Sequence, residues 1–85
     1  MEEYTTTDLG LAAYLSLGGF KFNLAVRGSK VIFVFNDDGG VVRKKVEEYF
    51  KGGEVSAVAY FQTIQNLKTM VINLRRLPKE KGGEL

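Results

Sequence analysis

The sequence predicts an α+β domain in the order helix, β-hairpin, helix, helix (α-β-β-α-α), and three observations carry that prediction. The apolar spacing changes from three-to-four to two at Phe20 and returns to three-to-four beyond Gly40. A glycine-bearing turn, Arg27-Gly28-Ser29-Lys30, separates two apolar runs. Glycine pairs at 18-19, 39-40 and 52-53 stand where elements should end.

The first helix is expected over Thr7 to Leu17. Thr7 or Asp8 caps it, because a side-chain oxygen there accepts from the free N–H groups of the first turn, and Gly18-Gly19 stops it. Leu9, Ala12, Ala13 and Leu17 form the predicted buried stripe, with Leu11 and Leu15 beside it. Gly10 costs up to ~1 kcal/mol relative to alanine inside a helix, so it marks either a close helix contact or a tolerated surface position.

Phe20, Phe22, Leu24 and Val26 then alternate with Lys21, Asn23 and Ala25, the pattern of a strand with one wet face. Gly28 supplies the positive φ of a tight hairpin turn. The next run, Val31-Ile32-Phe33-Val34-Phe35, is apolar on both faces and predicts a strand that is central in its sheet or covered on both sides. Two strands alone are marginal and leave that run with an open edge. Either Tyr4-Thr5-Thr6 pairs as a short third strand, or a second subunit completes the sheet.

Asn36-Asp37-Asp38-Gly39-Gly40 closes the hairpin and opens the second helix, with Asp37 or Asp38 as N-cap. Val42, Val46, Tyr49 and Phe50 share the expected inner face. Arg43, Lys44, Glu47 and Glu48 form the solvated one, with i,i+4 pairs between them. Gly52-Gly53 ends this helix after about Lys51. The third helix starts near Ser56 and runs to about Leu77, before Pro78, and its core stripe reads Ala57, Tyr60, Phe61, Ile64, Leu67, Val71, Leu74. Met70, Ile72 and Leu77 fall outside that stripe and predict an interaction surface, self-association included. Residues 1–77 thus read as one domain, and 78–85 as a flexible basic tail.

With 85 residues, 45% hydrophobic and 26% charged, the chain has the composition of a folded globule rather than of a disordered one. It contains no cysteine and no histidine, so disulfides and the usual zinc sites are excluded and stability must come from packing, helped or not by a second subunit. Met1-Glu2-Glu3-Tyr4-Thr5 lacks the basic-then-apolar pattern of a secretory signal, and no apolar run approaches the roughly 18 residues that cross a bilayer. The expected location is the cytoplasm, with no membrane partner.

The same two absences remove the common nucleophile-and-base pairings and thiol chemistry. Asp37 and Asp38 could offer oxygen ligands to a hard cation, but the segment lacks the staggered acidic spacing of a calcium loop, and helix capping explains both. The glycine pairs have no following Lys-Ser/Thr and are no phosphate loop. No catalytic residue, metal or cofactor is expected.

Binding remains. Twelve basic residues against ten acidic ones give a net charge of +2, which permits nucleic-acid binding without demanding it. The candidate phosphate contacts for DNA or RNA are Lys21, Arg27 and Lys30 on or near the hairpin, Arg43 and Lys44, and Arg75 and Arg76 at the basic end of the last helix. Arg27-Gly28 followed by Phe33-Val34-Phe35 lacks the spacing of an RNA-recognition sheet, and Phe33 and Phe35 read as core.

Four segments together carry a resemblance: Thr6-Thr7-Asp8-Leu9-x-Leu11-Ala12-Ala13-Tyr14-Leu15, then Val31-Ile32-Phe33-Val34-Phe35-Asn36-Asp37, then Tyr49-Phe50-x-Gly52, and Val55-Ser56-Ala57 leading to Leu67-Lys68. They resemble, over residues 4 to 73, a family of small domains of unknown function from bacteria, archaea and phage or mobile elements. The resemblance brings no activity or site residue. It implies an accessory protein, for which nucleic-acid handling and binding of host proteins are both common tasks. Asn36 and the glycine pair stand here where that family leads one to expect a more acidic stretch.

Overall fold

The computed structural model describes residues 2–76, with the side chain of Arg76 outside the description. Its elements are β1 (Glu3–Thr6), α1 (Leu9–Leu17), β2 (Phe22–Arg27), β3 (Lys30–Asn36), a 3-10 turn (Asp38–Gly40), α2 (Val41–Phe50) and α3 (Ala57–Arg76). Leu77 and the tail 78–85 lie outside the described residues.

The three strands form one antiparallel sheet in the order β1-β3-β2. The N-terminal segment is therefore the third strand, with Tyr4 opposite Phe35 and Thr6 opposite Phe33. The main-chain N–H of Asp37 extends this ladder to the carbonyl of Glu2 at 2.9 Å. The most apolar strand is thus central, paired on both sides from Phe33 to Phe35 and with β2 alone from Lys30 to Ile32, which reduces the aggregation hazard its composition carries. Gly28, at φ 62°, makes the two-residue turn between β2 and β3.

Register assigns the faces. Tyr4, Thr6, Phe22, Leu24, Val31, Phe33 and Phe35 point to the helices, while Thr5, Asn23, Ala25, Ile32 and Val34 point away. Val34, between Thr5 and Asn23, and Ile32, beside Ala25 on β2, are half-buried and take no part in the core cluster. Being central is enough to explain their apolar character.

Asp8 caps α1, accepting from the N–H of Leu11 at 3.1 Å. This helix is enclosed by the sheet, α2 and α3, and Leu11, Ala12, Ala13, Tyr14 and Leu15 are all buried in succession. The expected stripe is corrected accordingly: Leu17 is exposed and Leu9 half-buried, because a helix surrounded in its middle buries a continuous run rather than one face. Gly10 is a close contact. A Cβ there would stand 2.9 Å from the Tyr60 hydroxyl and 3.0 Å from that of Tyr49, so α2 and α3 both press tyrosines onto α1 at this point.

Asp37, fully buried, accepts from the N–H of Val42 at 2.8 Å and so caps α2 from before the intervening 3-10 turn. Val42, Val46 and Tyr49 pack inward as expected. Phe50 does not: it is 71% exposed at the end of the helix. The expected i,i+4 pairs on α2 are replaced by two other contacts. Arg43 reaches back to Asp37, Nε to Oδ2 at 2.8 Å, and Lys45 binds Glu48 at 3.0 Å, three residues on. Ser56 caps α3, its Oγ accepting from the N–H of Ala59 at 3.3 Å. Tyr60, Ile64, Leu67, Val71 and Leu74 face inward, whereas Ala57 and Phe61, assigned to the core by spacing, lie on the outside.

Candidate interaction surface

The candidate surface is built on α3, whose 20 residues pack on one side only. At ~100° per residue, Leu67, Tyr60, Val71 and Leu74 cluster on the side against α1, and Val58, Phe61 and Ile72 fall within about 60° of one another on the opposite side. Val58 is 75% exposed, Phe61 65%, and Met70 and Ile72 42% each. Met70 and Ile72 were expected to act together. Two residues apart on a helix, they point about 160° from each other, so Ile72 belongs with Phe61 while Met70 sits on the far flank. Ala57, Val58, Phe61, Gln62, Gln65 and Asn66 form a shallow uncharged surface made by this single helix.

On the Ile72 flank the surface deepens into a groove of about 400 Å³ between α3 and the beginning of β3. Leu9, Val31, Phe33, Val71 and Ile72 line it with hydrocarbon, Thr7 adds a hydroxyl, and Lys30, Lys68 and Arg75 supply three cations. Among the described residues no acidic side chain lines it. The nearest carboxylate in sequence, Asp8, is engaged as the cap of α1. Lys68, Val71, Ile72 and Arg75 converge because spacings of three, four and seven share one helix face, and β3 adds Lys30 where the hairpin turn ends.

The expected phosphate contacts are divided between two ends of the sheet. Arg27 and Lys30 pair at the hairpin end, and Arg75 joins Lys30 in the groove. Lys21 precedes Phe22, which pairs with Phe35 at the other end of the β2–β3 ladder, roughly 17 Å from the turn by strand rise. Arg43 lies near that end too, held against Asp37 with its guanidinium 5.8 Å from the Tyr4 ring centre. Lys44 is exposed on α2. The helix of Arg76 is described but its side chain is not, and Leu77 is outside the described residues. Lys68, one of the basic residues after position 67 that make the C-terminal end locally basic, joins the groove. Its signal is positional, a cation seven residues before Arg75 with Ile72 between them on one helix face.

A second polar cluster joins the helices. The Tyr60 hydroxyl donates to the carbonyl of Gly10 at 3.1 Å. Hydrogen bonding to Tyr60, then burial, pushes the Tyr49 phenol up to about 12. Tyr14 donates to Glu48 at 3.1 Å, and its phenol is raised chiefly by burial and next by that bond. The bond from Lys45 holds the Glu48 carboxyl below its ordinary range and raises the Lys45 amine in turn. The Tyr60 bond ties α3 to α1 and the Tyr14 bond ties α1 to α2, and Tyr14 also lines a small cavity of about 120 Å³ with Lys45 and Glu54. Asp37 is likewise committed. One oxygen caps α2, and the other meets Arg43 in an ionic contact whose N–H is not aimed at it. Among the described residues no three carboxylates converge as a metal site would require, and no helix is long and apolar enough to cross a membrane.

A family model described as a domain of unknown function, DUF5659, matches residues 1–73. No curated protein and no solved structure matches the chain.

Proposed function

The chain belongs to the DUF5659 family, a domain of unknown function, and we propose that it is a non-enzymatic accessory protein, of a prokaryote or mobile element as the resemblance implies, that binds protein through the outer side of α3. One observation carries this reading. Val58, Phe61 and Ile72 are large apolar side chains aligned on one side of one helix and left to solvent. Scattered exposed apolar residues are ordinary, but aligned ones mark contact surfaces. The surface from Ala57 to Asn66 carries no charge that a partner would have to desolvate. A second copy of the chain is one such partner, since self-association would cover the same strip.

Nucleic-acid association is the second reading, favoured by the meeting of Lys30, Lys68 and Arg75 close to Arg27 at the hairpin end. It ranks lower because Lys21, Arg43 and Lys44 lie elsewhere and because Phe33 and Phe35 are buried, so the central strand offers no ring on which a base could stack beside those cations.

The test is a photo-crosslinking side chain placed at Phe61 and, as control, at exposed Asp38, in cells of the native host. A protein adduct from position 61 with none from position 38 is expected, and an adduct of doubled mass identifies a second copy. A nucleic-acid adduct, or no adduct from position 61, contradicts the reading.

A further inference from the structure

The groove beside Ile72 combines two features that a plain apolar strip lacks, namely three cations without an acid among its lining residues and a floor made of aliphatic side chains. Like charges set this close repel one another, and their convergence is relieved by an anion. Val31, Val71 and Ile72 give that anion an apolar counterpart. The floor has no exposed ring, since Phe33 is buried, so it suits a branched aliphatic group better than a base. Its volume of about 400 Å³ admits a side chain or two rather than a whole helix.

We propose that this groove seats an acidic segment of the partner protein, with one aliphatic side chain on Val71 and Ile72 and flanking carboxylates on Lys30, Lys68 and Arg75. The inference rests on the protein-binding reading of α3 and supplies the chemistry of the partner. Ile72 and Lys68 border both the groove and the apolar strip, so one partner can cover the two together. The carboxylate contacts are partly exposed, and their contribution falls as salt shortens the screening length to about 8 Å at physiological ionic strength.

The experiment uses the full chain, isotopically labelled, and a short synthetic peptide with one leucine between glutamates, followed by NMR titration. Saturable shifts are expected at Lys30, Lys68, Val71 and Ile72. Binding should weaken by about tenfold or more, ~1.4 kcal/mol, when the glutamates become glutamines, when the leucine becomes alanine, or in the double variant Lys68→Gln, Arg75→Gln. Both substitutions in that variant are on the helix surface, and circular dichroism confirms that it is folded. Lys51→Gln, an exposed charge change just after α2 and outside both the groove and the strip, should leave peptide binding unchanged. No saturable shift at these residues, no effect of the double variant, or tighter binding of oligo-dT or laurate than of the peptide overturns the proposal. If the peptide fails while crosslinking from position 61 still captures protein, the groove assignment falls and the protein-binding reading stands. If crosslinking fails as well, both fall.

Discussion

Helices α1 and α3 pack against each other and are used in opposite ways. The shorter one buries five residues in succession and leaves almost no side to water. The longer one buries its inner stripe and exposes Val58, Phe61, Met70 and Ile72. A helix with every side engaged is a structural part, because a change on it disturbs the sheet and two helices at once. A helix with one side engaged can hold the fold with that side and hold something else with the other. The same contrast applies to charge: the carboxylate of Asp37 is buried and committed, whereas the cations of the groove face no acid among its lining residues.

The largest effect that would sharpen this contrast belongs to the enclosed core. Phe35→Ala empties a fully buried site at the centre of the sheet beneath α1 and should cost about 3–5 kcal/mol, a large part of the stability of a domain this small. Denaturant unfolding measures it. Gly53→Ala follows. Its Cβ would fall on the buried Tyr14 hydroxyl, so a loss of about 1–3 kcal/mol is expected although the position needs no positive φ. Asp37→Ala frees the Val42 N–H and should cost about 1–2 kcal/mol. Asp38→Ala, at an exposed position, should change stability by less than about 0.5 kcal/mol. Equal losses from the two aspartates would break the assignment of the cap.

A smaller effect reads the tyrosine contacts on Gly10. The Tyr49 phenol titrates near pH 12 in the folded chain, against an ordinary value of 10.0. The unfolded chain therefore releases this proton first, and the stability it contributes is whole below pH 10 and is lost as the pH rises towards 12. Thermal melts across that window should show a shallower decline in Tyr49→Phe than in the parent chain. An identical decline would mean that the phenol is not held by Tyr60.

Much of this architecture was legible from residue order. Alternation in β2, the hairpin glycine, the caps at Asp8 and Ser56 and the need to cover Val31–Phe35 all follow from local chemistry, and the last of these made Tyr4-Thr5-Thr6 a candidate strand. Helical spacing was less informative about Phe61 and Phe50, because it tells which residues share a side and not which side meets a neighbour. Leu17 and Phe61 are as apolar as Leu15 and Leu67, and only the positions of the other elements separate them. The groove was half visible. Lys30, Arg75 and Ile72 stood out singly, but 37 residues of chain lie between Lys30 and Lys68, and only the packing of α3 against β3 brings them together.

Phe61 is the residue at which the outer side of α3 is tested most directly. With a photo-crosslinker at neighbouring Gln65, Phe61→Asp should abolish the protein adduct while shifting unfolding free energy by no more than about 0.5 kcal/mol, as befits a residue that supports no part of the fold. An undiminished adduct, or a loss of stability like that of a core substitution, would contradict the claim that the outer side of α3 is held open for a partner.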